Sequence, residues 1–599
     1  MSARPLPAPF LRICLSVLFA LFAPALRAVE TATLVLSNLS RIYTAAPATL
    51  TADDIAITPS SETAGDYTLK ITYAGKTTAP VNAGSYPVVV TASSLTHTGT
   101  ATGTLVIAPA PLTATANDSS RLFGAANPKF TVTYSGFVGA DTVKALKKTP
   151  AATTAATTAS PAGDYPITLS GGSATNYTFA SLVPGTLTVV PTFAGTYETL
   201  LFDLAAFDVA LGKLTVTLPA KGNKFTARVE YTHEAQPLAF SGTLVATEDL
   251  SGVTGTALRT RSGSSAYQLK VTATSQGVSA TLLYRPDTLS GFGGFITVPT
   301  LVQTSTYTKN APAPWAGAYT LVLPDTTPLF DFNYPVGIPF ASAAIDATGK
   351  LTLSGKLSDG APITASAAPD STGRYRLFLR PYGSRLNSYL SGQLPLVAHP
   401  DTGRTGLFYV PASLENVFYW QKAANDKDAL YPDGFSQLYT LAALDPWLPP
   451  AAAVKKTATP AITLAQRLGL ATNEFASGYA NIEYGFADYG QSELELPLNI
   501  EATVKNTLVP LLPDAPANPR GWKISVTTKT GRFTASFKLT DILDTGTVTR
   551  SVKIEGTLRQ PPADDTDIAL GYLLLTALPN AFDLTTLSHS FRLSSATDE

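Results

Sequence analysis

Asn82 to Thr91 reads NAGSYPVVVT, and Pro161 to Ser170 reads PAGDYPITLS. Each copy sets Ala-Gly and one polar residue ahead of Tyr-Pro, and a β-branched or apolar run follows. A Gly-Thr-Leu phrase closes each copy, GTLVIAP from Gly103 and GTLTVVP from Gly185. Self-similarity at a spacing of about eighty residues marks modules laid end to end, not a single catalytic core. Beads on a string are therefore the starting expectation.

Working outward, Thr33 to Ile107 contains the short alternating runs LVLSNLS, YTLKITYAG and YPVVVTAS, separated by Pro, Gly, Asp and Asn. Period-two alternation of this length predicts half-buried strands of a sandwich. The second copy runs from about Leu112 to Val190, through FTVTYSGFVGADT and YPITLSGGSATNYTF. Its Thr149 to Ser160 tract, rich in Ala and Thr, predicts a loop or a weak edge strand.

The first module resembles the MBG family of bacterial immunoglobulin-like repeats through LSNLSRIYTAAPATLT, ITYAGKTTAPVNAGSYPVVV and TGTATGTLVI. The second resembles the related repeat type through LFGAANPKFTVTYSGFVGADT, SPAGDYPITLSGGSATNYTF and GTLTVVP. Where the family usually shows Tyr-Gly, the first copy has Tyr43-Thr44 and the second Phe123-Gly124, which should alter a local turn and not the fold. The resemblance implies tandem extracellular modules of the kind found in large surface or adhesion-like proteins. It carries over no catalytic residue.

Beyond Pro191 the phrases change. FAGTY at Phe193 is matched by WAGAY at Trp315, and GKLTVTL at Gly212 by GKLTLSG at Gly349. NKFTARVEYT with FSGTL, from Asn223 and Phe240, is matched by GRFTASFKLT with IEGTL, from Gly531 and Ile554, across a lengthened hairpin. Gly ahead of an alternating strand, recurring in this way, predicts antiparallel meanders that curl into small barrels or sandwiches. Through KLTLSGKLSDG, Trp420-Gln421-Lys422 with YPDGF, and TGRFTASF with VKIEGTL, these units are similar to a recurring β-rich element of secreted bacterial proteins, which implies architecture only. LPPAAAVKKTATP from Leu448 reads as a linker, and a short helix is expected around Ile462 to Leu470.

The predicted fold is all-β: tandem immunoglobulin-like β-sandwiches followed by antiparallel β-meander barrel or sandwich modules. The expected divisions are a signal peptide (1–28), sandwiches at 29–109 and 110–191, meander modules at 192–310 and 311–447, a linker (448–460) and a β-rich module (461–599).

Arg4 and Arg12 stand ahead of the apolar stretch Ile13 to Phe22, with small residues at Ala23, Ala25 and Ala28, the pattern of a cleaved export signal. The stretch is shorter than a membrane span of about 20 residues, and Gly571 to Leu578 is only a strand-length apolar patch. The mature chain is thus expected to be secreted or at the cell surface, without spanning a membrane. Cys14 and Met1 are the sole residues of their kinds, so no disulfide is available after cleavage. With 42 basic and 43 acidic residues and a charged fraction of 14%, the chain lacks the Lys and Arg clusters that nucleic-acid phosphates demand.

Chemistry is thinly signalled. His97, His233, His399 and His589 fall in different modules, whereas zinc needs three or four converging ligands. His233-Glu234 lacks a second His, no GxSxG occurs, and LSGFGGFI at Leu289 lacks the Lys-Ser/Thr of a phosphate loop. Glu493 and Glu495 share a strand face, with Glu501 beyond, and read as a solvated edge before a glycosidase pair. Asp564, Asp565 and Asp567, or Asp426, Asp428 and Asp433, offer calcium the right oxygen ligands without a full loop spacing, so solvated turns are favoured.

The stronger binding candidate is aromatic: Phe418, Tyr419, Trp420, Tyr431 and Phe435, with Asn425 and Asp426 between them; Tyr479, Tyr484, Phe486 and Tyr489 form a second group. Sugar rings stack on such side chains while amides and carboxylates take the hydroxyls. Alternation puts Phe418 and Trp420 on one face and Tyr419 on the other, which favours the core for part of the cluster. Phe418, Trp420, Asn425, Asp426 and Tyr431 are the ligand-binding candidates.

The expectation is a non-catalytic adhesion, spacer or envelope component, with no cofactor. A cell-envelope or extracellular polysaccharide, or a surface protein, is the expected partner. The rivals are a carbohydrate-binding protein using the Trp420 region and a glycan-active enzyme.

Overall fold

The computed structural model describes residues 29–58, 66–202, 209–260, 266–285, 294–296, 298–324, 335–398, 408–410, 417–428, 430–451, 462–468, 470, 478–484, 498–503, 505–511, 521–543, 546–560, 567–575 and 587–595. The export-signal reading of residues 1–28 lies outside them. The described chain is all-β apart from short 3-10 turns and one α-helix, Leu464–Arg467, at the place where a short helix is expected. The described residues form two compact units, one within 29–121 and 126–189 and the other within 122–125 and 190–595.

In the first unit NAGSYPVVVT becomes strand Gly84–Ser93, which pairs antiparallel with His97–Ala108. Alternation works as read: Val88, Val90 and Ala92 are fully buried, whereas Val89 is exposed. Burying one such valine contributes about 1.5–3 kcal/mol. Glu30–Thr31 and Ser40–Ile42 both run parallel to His97–Ala108, while Thr33–Leu36 pairs with Ile55–Thr58 in a separate two-stranded sheet. PAGDYPITLS becomes Gly163–Ser170, flanked by Gly185–Val190 and the edge strand Ala151–Thr153, so the Ala/Thr tract does supply a short edge. Ala110–Ala116 pairs with Val132–Ser135 and runs parallel to Tyr177–Val183.

The expectation of beads on a string needs correcting here. Only Pro109 separates His97–Ala108 from Ala110–Ala116, and one hydrophobic core takes in Val90 and Leu105 of the first sandwich with Leu112 and Tyr177 of the second. At the joint, Tyr43 and Tyr177 both donate hydroxyl hydrogen bonds to Asp141 Oδ2, at 2.8 and 2.7 Å. Asn176 adds a bond to Asn82 Oδ1 and accepts from the Ala83 N–H.

The second unit begins with a nine-stranded antiparallel meander, whose long strands run in chain order from Gly195–Phe202 to Gly277–Arg285. Val302–Gln303 pairs with the first of them and Leu301 bridges to Val278, which brings the two ends of the sheet together. Phe225 lies over Gly242 and Gly255, where an added Cβ would come within 2.3 and 2.8 Å of the ring. The missing side chains admit the ring, and the ring covers the bared backbone.

Within residues 311–447 two larger sheets enclose one core, and Val397–Ala398 pairs with Phe408–Tyr409 in a small third one. Pro362–Ala367, Leu351–Lys356, Phe340–Ile345, Gly317–Val322 and Ala443–Pro446 make one larger sheet; Arg374–Leu379, Tyr389–Pro395, Phe418–Lys422 and Phe435–Tyr439 make the other. The last module is an eight-stranded sheet whose edge strands, Leu508–Leu511 and Lys523–Thr527, come alongside each other. Phe533 pairs with Gly556 here as Phe225 pairs with Gly242, across the longer hairpin expected from the repeated phrases.

These three modules are fused. Lys213, paired with Glu198 at 2.8 Å, also donates to the Arg376 carbonyl. Asp445 and Arg559 form a buried 2.7 Å ion pair, and Trp447 Nε1 donates to the Thr528 carbonyl. The start of the expected linker is held, since Gln560 bonds both the N–H and the carbonyl of Leu448. Residues 452–460 lie outside the described residues.

Candidate functional site

Strand Phe418–Lys422 owes its place to its own alternation: Phe418, Trp420 and Lys422 point inward, Tyr419 and Gln421 lie half-exposed. Phe418 and Trp420 are 0% exposed, so neither can offer a face to a sugar. This corrects the reading of both as ligand-binding residues. Phe418 packs over Gly392, and Trp420 stands edge-on to Phe435 at 4.5 Å and stacks with Tyr439. Burying apolar rings outweighs exposing them for a ligand.

The other candidates separate by role. Tyr431 is buried and its hydroxyl accepts from the Ser588 N–H of the last module, so it belongs to a joint and not to a binding face. Asn425 Oδ1 accepts from the Lys427 N–H in a local turn, and Asp426 is exposed beside it.

Beside Trp420 lies a polar cluster that the sequence reading missed. The Lys422 ammonium is 3.2 Å from Asp359 Oδ2 and 3.5 Å from Asp428 Oδ2, and it donates to the Leu430 carbonyl at 2.8 Å. Tyr382 donates to Asp359 Oδ2 at 2.5 Å, and Arg385 forks onto both Asp428 oxygens. The Arg385 hydrogen bond holds the Asp428 carboxyl below its usual range, whereas burial and the neighbouring Asp359 push the Tyr382 phenol up. Asp428 is thereby engaged by two cations, where the sequence favoured a solvated turn over a calcium ligand; Asp433 is exposed.

Asp567 pairs with Arg592 at 3.2 Å, while Asp564 and Asp565 lie outside the described residues. Among the described residues no three His, Cys, Asp or Glu side chains converge as a metal site. His97 bonds Thr96 through Nδ1 and faces Glu30 at 3.5 Å, and the exposed His233 leans on the Tyr231 ring. Glu234 instead accepts from the Tyr267 hydroxyl. His399, Glu493, Glu495, Phe486, Tyr489 and most of LSGFGGFI lie outside the described residues, as do the side chains of Tyr479, Tyr484 and His589. Glu501 sits in strand Leu498–Ala502.

One local device recurs in both units. In NAGSY, PAGDY, FAGTY and WAGAY the tyrosine hydroxyl donates to the carbonyl four residues back: Tyr86 to Asn82, Tyr165 to Pro161, Tyr197 to Phe193 and Tyr319 to Trp315, at 2.7–2.9 Å. The two pairs of phrases read separately in the sequence are thus one element, a pinned entry into a strand. Such bonds satisfy carbonyls that the turn takes out of the ladder.

Residues 32–111 match the family model described as MBG domain, and residues 112–188 match the one described as MBG domain (YGX type). Both matches bear out the resemblance of the two N-terminal modules, and their junction falls within the Ala110–Ala116 strand. No curated protein matches the chain. No helix among the described residues is long and apolar enough to cross a membrane.

Proposed function

We propose that this chain is a non-catalytic surface component that acts as a stiff spacer presenting β-modules outside the cell. The observation that carries the reading is the construction of the joints. Within each unit, consecutive modules meet through shared cores or through hydrogen bonds and ion pairs, with Asp141 between Tyr43 and Tyr177 in one, and Lys213 against the Arg376 carbonyl and Asp445 against Arg559 in the other. Stiff joints keep modules at fixed separations, so several weak contacts to one partner add up without any strong site. The MBG matches support display at the surface.

A second reading, polysaccharide binding, rests on two open grooves. On the first barrel Thr217, Thr226 and Ser241 stand in register across three strands, next to Arg228 and Arg259. On the last barrel Ser525, Thr534, Ser536 and Ser551 lie between Lys523 and Lys553. Hydroxyls and cations in such rows suit a hydroxyl-rich or acidic glycan.

Fractionation of the native cells with an antibody tests display: envelope association is expected, and protein found only in the medium overturns it. Glycan-array binding lost in Arg259→Ala and Lys553→Ala would establish the second reading. Turnover of an envelope polysaccharide, abolished by one Glu or Asp substitution, would overturn the non-catalytic role.

A further inference from the structure

We propose that Lys422 and Asp359 condense into an amide, a covalent staple between the two larger sheets of residues 311–447. Lys422 ends strand Phe418–Lys422 of the four-stranded sheet. Asp359 sits in the turn between Leu351–Lys356 and Pro362–Ala367 of the five-stranded sheet. The side chains are 4% and 2% exposed, and the amine nitrogen lies 3.2 Å from the carboxyl oxygen.

The surroundings supply what condensation needs. The Ala361 N–H donates to Asp359 Oδ1 at 3.0 Å, placed to hold the oxyanion of a tetrahedral intermediate. The Tyr382 hydroxyl donates to Oδ2 at 2.5 Å, which makes Oδ2 the leaving oxygen. The Asp428 carboxylate, 3.5 Å from the amine, is the proton acceptor beside the nucleophile. Lys422 Nζ attacks Asp359 Cγ, the Nζ–Cγ bond forms and the Cγ–Oδ2 bond breaks. Two protons pass from Nζ to Oδ2, which leaves as water. An ammonium and a carboxylate become an amide and water, so charge balances and no further reactant enters. Burial keeps bulk water from reversing the step.

Two other pairs are instructive. The guanidinium of Arg559 is a poor nucleophile against Asp445. Lys213 and Glu198, 2.8 Å apart, have side chains 10% and 11% exposed, and the Thr215 hydroxyl reaches Glu198 Oε1 at a long 3.4 Å. Lys422 with Asp359 is the pair that the cluster equips.

Mass spectrometry of the full chain, measured against the sequence from its observed N-terminus, tests the staple. The expected result is a mass lower by one water, with proteolysis yielding a branched peptide that joins Lys422 to Asp359. Lys422→Arg should restore the full mass; if that variant does not fold, the peptide map of the unaltered chain decides. Full mass in the unaltered chain overturns the proposal. So does a loss that maps to Lys213 and Glu198. Asp359-Gly360 could also lose water by closing to a succinimide. Hydroxylamine opens a succinimide and leaves an amide intact, so a loss that hydroxylamine abolishes overturns the staple as well.

Discussion

The Tyr319 hydroxyl donates a 2.7 Å hydrogen bond to the Trp315 carbonyl, and both residues are buried. Burial pushes this phenol well above its ordinary titration range, which keeps the donor proton in place throughout the physiological range. Tyr319→Phe should therefore strand a buried carbonyl and cost about 1–3 kcal/mol. Tyr86→Phe breaks the equivalent bond at a solvated site and should cost a few tenths. Urea midpoints read by tryptophan fluorescence and by hydrogen exchange check the order, and equal effects would refute it.

At the Asp445 and Arg559 pair, whose side chains are 1% and 4% exposed, removing one partner leaves a charge in the protein interior. Asp445→Ala should lower stability by about 3–5 kcal/mol. Replacing both with leucine should recover most of the loss, since the apolar pair carries no desolvation penalty. Thermal unfolding of the single and double variants provides the comparison.

Gly242→Ala would put a methyl 2.3 Å from Phe225 Cε1. Overpacking of this kind costs about 1–3 kcal/mol, and Phe225→Leu in the same chain should relieve part of it. A double-mutant cycle showing strict additivity would exclude the contact as the cause.

Tyr177 is pushed up to about 12, first by burial and then by Asp141. A tyrosine raised in the folded state contributes its stability below the unfolded value near 10, and that contribution is lost as pH rises through the folded value. The first unit should thus weaken from about pH 10 toward pH 12, with no change on this account at lower pH. Ultraviolet titration of phenolate in the unaltered chain and in Tyr177→Phe isolates the late-ionising group.

Much of the fold is written locally, which is why NAGSYPVVVT, read by alternation alone, forms a strand with Val88 and Val90 inward. Phe225 and Gly242 could be matched to Phe533 and Gly556 as phrases, because each pair occupies a single hairpin. What fails is whatever depends on distant residues. Asp359 meets Lys422 across 63 positions, and Asp445 meets Arg559 across 114, so neither partner announces the other. The same limit explains Trp420: the aromatic run was visible, but its cover comes from Tyr439, Phe435 and the opposite sheet. The four tyrosine bonds were within reach of the sequence, since NAGSY, PAGDY, FAGTY and WAGAY share Ala-Gly-x-Tyr at fixed spacing.

The parallel pairing of Glu30–Thr31 and Ser40–Ile42 with His97–Ala108 sets how the first module meets tension. Its entry and exit strands lie side by side and point the same way, so a pull on the chain slides them lengthwise past each other. Their rungs then share the load and must give way together, where an antiparallel hairpin pulled from its open end would unzip one rung at a time. A module tethered between a cell and its surroundings would hold under drag that peels weaker arrangements apart.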